Sequence, residues 1–90
     1  MVTVYVLLSL KDSATYVGIT LNTLNRLKEH NNGKNRYTKG HIPWKIIYTE
    51  QFPDWASART REKYLKSTAG KNSLKKYLDT NGGITGSLPA

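Results

Sequence analysis

The sequence contains no cysteine. That excludes disulfides and thiolate metal sites and fits a reducing compartment, so a cytoplasmic location is expected. Acids are scarce, six Asp and Glu among 90 residues, which makes the paired-carboxylate cage of a two-metal site hard to assemble. No apolar run is long enough to cross a bilayer. The stretch Val2-Thr3-Val4-Tyr5-Val6-Leu7-Leu8 follows Met1 without a basic segment and meets Ser9 and Lys11-Asp12 soon after. It therefore reads as a strand and not as a signal peptide or a span. There is no internal repeat, no low-complexity tract, no Walker-type phosphate loop, no His-Glu-x-x-His motif and no defensible Ser/His/Asp arrangement.

What the chain has in excess is positive charge. Fourteen Lys and Arg against six acids give a net +8. Such an excess favours a polyanionic partner through counterion release, and nucleic acid fits better than a merely soluble basic surface. An anionic membrane surface fits less well, because no segment pairs a basic face with a strongly apolar one. The length corresponds to one domain, which at this size buries only about 60–65% of its unfolded surface.

Val2, Val4, Val6, Leu8 and Leu10 alternate with Thr3, Tyr5, Leu7 and Ser9. This period-two pattern predicts a half-buried strand with its even-numbered face on the core. Residues 11–14 supply a turn and 15–19 a return strand. Residues 22–31 follow as a helix with Asn22 as N-cap and Leu24 and Leu27 inward. A polar loop over 31–43 carries Lys34, Arg36, Lys39 and His41. A third strand is expected over 44–52, then a helix over 55–67 capped by Asp54 and broken at Gly70, then a very basic helix over about 72–79. The tail 81–90 is expected to be flexible, leaving 1–80 as the domain. The order ββαβαα gives an α+β fold, a three-stranded antiparallel sheet flanked by about three helices.

Several residues could carry chemistry. Tyr5 and Tyr16 are 11 apart, which in a hairpin with an even-length loop places both on one face, opposite the valines. Gly18 shares that face and would leave an open floor for a phosphate; a bulky residue there is expected to block access while sparing the strand. Arg26 and His30 share a helix stripe, lying about 100° and about 60° round from Leu27 and so flanking the core face. Glu62 falls within the apolar stripe of Ala58 and Leu65, where a carboxylate needs a cation. That cation is either one metal ion or an arginine: Arg26, Arg59 or Arg61. The loop basics Lys34, Arg36 and Lys39, with His41, are placed to follow a phosphate backbone. Tyr37, Trp44 and Trp55 are candidates for base stacking, although for the two tryptophans a core position is the commoner outcome.

Taken together, Val4-Tyr5-Val6, Tyr16-Val17-Gly18, Arg26 with Leu27 and His30, and Arg61-Glu62-Lys63-Tyr64-Leu65-Lys66-Ser67 resemble the GIY-YIG endonuclease superfamily. The similarity is greatest to its small stand-alone bacterial-type members, related to the nuclease domain of the excision-repair protein UvrC, and it covers about residues 2–78. By position, Tyr5 and Tyr16 match the motif tyrosines, Gly18 the motif glycine, Arg26 the helix arginine, His30 the His/Tyr position and Glu62 the metal-binding glutamate. The first motif reads Val-Tyr-Val, Thr15 stands where many relatives carry lysine, and the late asparagine could be Asn72 or Asn81.

The resemblance implies a divalent-metal-dependent endonuclease. Glu62 would hold one Mg²⁺ or Mn²⁺, Arg26 would neutralise phosphoryl charge, and Tyr5 or Tyr16 would take a proton from water, leaving 5′-phosphate and 3′-hydroxyl ends. A phenol ionises near about 10 and an imidazole near about 6.5, so His30 remains open as the base on chemical grounds. DNA is expected ahead of RNA, the chain acting as a monomer or weak homodimer and drawing any strong specificity from a targeting protein. A non-cutting nucleic-acid-binding module is the competing expectation.

Overall fold

The computed structural model of the chain describes residues 1–81; the remainder of the expected tail, 82–90, lies outside the described residues. The elements run β1 (Val2–Ser9), β2 (Thr15–Thr20), α1 (Thr23–Asn31), a 3₁₀ turn (Thr38–His41), β3 (Trp44–Phe52), α2 (Trp55–Lys66) and α3 (Thr68–Asn81). The sheet order is β2-β1-β3, and β1 pairs antiparallel with both neighbours. This is the expected α+β architecture, ββαβαα.

The valine face of β1 does meet a core. Val2, Val4 and Val6 pack with Val17, Ile47 and Tyr48 beneath Ala58 and Leu65 of α2 and Leu74 and Tyr77 of α3. The strand is not half-buried, however. Its odd face carries a second cluster of Tyr5, Leu7 and Trp44, with Tyr16, Leu27, Ile42 and Ile46 packed against it. The alternation reflected which residues are polar, not which face is covered, because α1 and the 3₁₀ turn close over the side opposite α2 and α3. Between Val6 and Leu7 the pairing with β3 slips by a residue, Val6 facing Tyr48 and Leu7 facing Ile46. The local bulge accommodates the extra residue, Ile47.

Four local expectations are corrected. Leu10 is 58% exposed because β1 ends at Ser9. Leu24 is 71% exposed: it stands on the first turn of α1, where nothing covers it, and Leu27 and His30 carry the inward stripe instead. Trp55 is 46% exposed, ahead of the buried stripe at the first residue of α2, whereas Trp44 is core. Gly70 does not break α2. That helix ends at the Ser67 cap, whose hydroxyl donates to the Tyr64 carbonyl, and α3 begins at once. Gly70 lies inside α3, pressed so closely on the end of α2 that a Cβ would overlap the Tyr64 carbonyl oxygen.

The caps follow ordinary chemistry. Asn22 Oδ1 accepts from Asn25 N at 3.0 Å, and Asp54 Oδ1 accepts from Ser57 N at 2.8 Å, each satisfying an orphan donor of a first turn. At the other end of α1, Gly33 adopts φ +76. Gly33 N donates to the His30 carbonyl at 3.2 Å and Lys34 N to the Glu29 carbonyl at 3.1 Å. This left-handed closure turns the chain toward the 3₁₀ segment.

Candidate active site

The hairpin register sets the floor of the site. Tyr5 faces Gly18 and Leu7 faces Tyr16 across β1 and β2, so all four share the odd face, as the spacing predicted. Gly18 is not an open floor. The Tyr5 ring lies directly over it, and a Cβ there would stand 2.5 Å from the Tyr5 hydroxyl oxygen. The glycine is a seat for the phenol, and the room it leaves is already taken.

Tyr5 is 1% exposed and His30 is 1% exposed. The Tyr5 hydroxyl and His30 Nε2 are hydrogen-bonded at 3.0 Å, and His30 Nδ1 and Thr38 Oγ1 at 2.7 Å. Thr38 is itself fully buried, and its carbonyl accepts from Trp44 Nε1 at 2.9 Å. Burial pushes the Tyr5 phenol above its ordinary range, and the neighbouring Tyr16 and Glu62 push the same way, against the Arg26 guanidinium, which pulls it down. Burial and the charge of Arg26 hold the His30 imidazole below its ordinary value. A protonated phenol facing a neutral imidazole makes Tyr5 the donor and Nε2 the acceptor. His30 therefore does not flank the core: it is part of it, with both ring nitrogens engaged.

Arg26 comes from the exposed side of α1, and its Nη1 also reaches Glu29 Oε1 at 2.9 Å. Glu62 comes from α2, its side chain 14% exposed, with Oε2 3.2 Å from Lys66 Nζ one turn on. The partner is thus Lys66, and none of the arginines; Arg61 instead pairs with Glu50 at 3.0 Å. Lys66 Nζ also stands 5.9 Å from the centre of the Tyr16 ring. Beside it opens a cleft of about 250 Å³ lined by Thr15, Tyr16, Val17, Leu65, Lys66, Lys71 and Leu74. Two strands and α1 thus bring the rings of Tyr5, Tyr16 and His30 together, with Arg26 one turn before His30, and α2 brings the Glu62–Lys66 pair to the Tyr16 edge of that cluster.

Residues 1–77 match the family described as the GIY-YIG catalytic domain. The chain belongs to this nuclease family. Among GIY-YIG relatives, a UPF0213 protein of Clostridium perfringens is 40% identical over 70 residues, spanning 77% of this chain and 75% of the relative. A UPF0213 protein of Natronomonas pharaonis is 35% identical over 80 residues, spanning 88% of this chain and 93% of the relative. The solution NMR structure of a UPF0213 protein from Bacillus halodurans is similar at TM-score 0.50 and 32% identity, covering 96% of this chain and all of that one.

GIY-YIG nucleases generally use a divalent metal, and the donors here can be tested against one. Among the described residues no group of three or more His, Asp or Glu side chains could cage an ion. Glu62 is a single, partly shielded carboxylate with one oxygen engaged by Lys66 and the other left for a cation. That donor set fits an ion such as Mg²⁺ or Mn²⁺, which keeps water and takes substrate phosphate oxygens as its remaining ligands.

The loop basics do not join this cluster directly. Lys34, Arg36 and Lys39 are exposed around the 3₁₀ turn. His41 is committed to Asp12, with Nδ1 2.5 Å from Oδ2, and this contact, with the Ala14 amide, holds the Asp12 carboxyl down at about 2. Sequence reasoning missed Thr38, Lys66 and Asp12. Lys66 was within reach, since Glu62 and Lys66 are one helical turn apart. Thr38 and Asp12 carry no local signal, because their partners are brought together only by the fold.

Proposed function

We propose that this chain is a divalent-metal-dependent endonuclease that hydrolyses nucleic-acid phosphodiester bonds, DNA ahead of RNA, by a one-metal mechanism leaving 5′-phosphate and 3′-hydroxyl ends. The observation that carries this reading is that Tyr5, Tyr16 and His30 form one ring cluster, with Arg26 one turn before His30 on α1 and the Glu62–Lys66 pair of α2 reaching the Tyr16 ring. A fold that only bound nucleic acid would not need a carboxylate turned toward a polyanion.

Glu62 would hold the ion, which supplies Lewis-acid stabilisation of the leaving 3′-oxygen. Arg26, held by Glu29 one turn on, would neutralise charge on the phosphoryl group. Tyr16 lines the open cleft and, as the phenolate, would take the proton of the attacking water and become the neutral phenol. Tyr5 keeps its own proton and passes the hydrogen bond to His30, so that His30 serves by orienting Tyr5. The cleft beside Tyr16 and the exposed flank of Arg26 leave a path for the phosphate.

Cleavage of supercoiled plasmid, branched DNA and single-stranded RNA with Mg²⁺, Mn²⁺ or EDTA tests the proposal. Product ends should be 5′-phosphorylated. Glu62→Gln should stop cleavage while leaving nucleic-acid binding equal or tighter. Its melting temperature should hold or rise, because the Lys66 partner is half in solvent and the change removes a charge from a partly shielded carboxylate. No metal-dependent cleavage of any of the three substrates by the wild-type chain would leave the binding-module reading in its place.

A further inference from the structure

The 3₁₀ turn presents something the cleavage site does not use. Tyr37 is 56% exposed, an unusual setting for a large ring that packing could have covered. It lies 6.1 Å from Tyr16, the two planes 30° apart, and 5.3 Å from His41, which in turn meets the edge of Trp44 at 5.9 Å. A continuous row of rings therefore runs from the site tyrosine through an exposed phenol to the buried indole.

Side-chain hydrogen bonds hold the row in place. Asn35 Oδ1 accepts from both Tyr37 N at 3.0 Å and Thr38 N at 3.1 Å. Ser9 Oγ donates to the His41 carbonyl at 2.6 Å, and Lys11 Nζ to the Gly40 carbonyl at 3.2 Å. The Asp12 carboxylate fixes the His41 ring. Lys34, Arg36 and Lys39, all exposed, lie within three residues of Tyr37 along the chain. An exposed aromatic face with cations close by in the chain matches the two things that a single strand presents, a flat base and its phosphates.

We propose that Tyr37, backed by His41, is a stacking platform for an unpaired nucleotide base adjoining the cleavage site, so that the preferred substrate is single-stranded or locally unpaired nucleic acid. The inference rests on the endonuclease reading for the adjoining site, but the platform itself needs no metal. In a duplex each base face is covered by its neighbours, and only an unpaired base can lie on a phenol ring. Stacking tolerates any base, consistent with a platform that offers a ring face and no set of base-edge donors. Loss of one such stack should weaken single-strand binding about 5- to 150-fold.

The test is metal-free binding in EDTA by the full chain, using oligonucleotides with one 2-aminopurine as single-stranded DNA, single-stranded RNA and duplex DNA. Wild type and Tyr37→Phe should bind a single strand more tightly than duplex and quench the probe, since phenylalanine keeps the ring. Tyr37→Ala should lose the quenching and the single-strand preference while keeping its duplex affinity and its melting temperature. Tighter binding of either the DNA or the RNA strand supports the platform and identifies the sugar. Tyr37→Ala binding single strands within twofold of wild type, or losing duplex and single-strand affinity equally, would overturn it. Failure of wild type to bind any of the three probes would instead remove the endonuclease reading on which the platform depends.

Discussion

At the scale of single residues, the site is built into the packing. Tyr5 occupies the space above Gly18, so the two cannot be altered independently. Gly18→Ala forces a buried ring to move, and we expect it to cost about 1–3 kcal/mol in urea denaturation, as overpacking does, and to abolish cleavage in the fraction that remains folded. A variant of unchanged stability would show that the ring does not sit there. His30 gives a pH signature. Burial, then Arg26, lower its folded pKa, so between that value and the unfolded value of about 6.5 the unfolded chain binds the extra proton. Stability should be full above that unfolded value and fall as pH drops through it toward the folded pKa. Denaturation midpoints at pH 8, 6.5 and 5 should show the loss, and His30→Gln should flatten it.

At the scale of elements, the close seating of α3 on α2 rests on one missing side chain. Gly70→Ala would place a Cβ 2.5 Å from Leu65 Cα and nearer still to the Tyr64 carbonyl oxygen. Neither is a flexible tip that can step aside. Helix propensity alone would make this change favourable; the contact reverses the sign, and a drop in thermal midpoint is expected. The three strands, the ββαβαα succession and both N-caps were legible in the sequence because alternation and Asx caps are local signals. The shared face of Tyr5, Tyr16 and Gly18 was legible from spacing parity. Leu10, Leu24 and Trp55 misled because an apolar residue at the end of an element follows the period of that element without having anything above it. Gly70 was read as a breaker because a sequence does not show which backbone will lie against it. The burial of His30 was hidden for the same reason: its partner Thr38 is eight residues away across a left-handed turn.

At the scale of the whole molecule, the net charge of +8 sets how binding responds to salt. Exposed Lys34, Arg36, Lys39, Lys66 and Lys71 are distributed from the 3₁₀ turn to the cleft rather than gathered in one spot. If about four phosphates are neutralised at once, log K against log salt for duplex DNA should slope near about −3 to −4. A flat response in a filter-binding or anisotropy titration would deny the charge any role in binding.

The position of β1 has a further consequence. It lies between both other strands and is covered on both faces, so its amides should be the last to exchange with deuterium, opening only with global unfolding. Tyr5 sits on that strand, whereas Tyr37 sits in a connection held by a few side-chain hydrogen bonds. On gentle warming, exchange should rise first around residues 34–41 and only later in β1. The capacity to hold a strand should therefore fade before the catalytic scaffold loosens. Deuterium uptake followed by mass spectrometry across a temperature series would show the order, and simultaneous exchange of the two segments would contradict it.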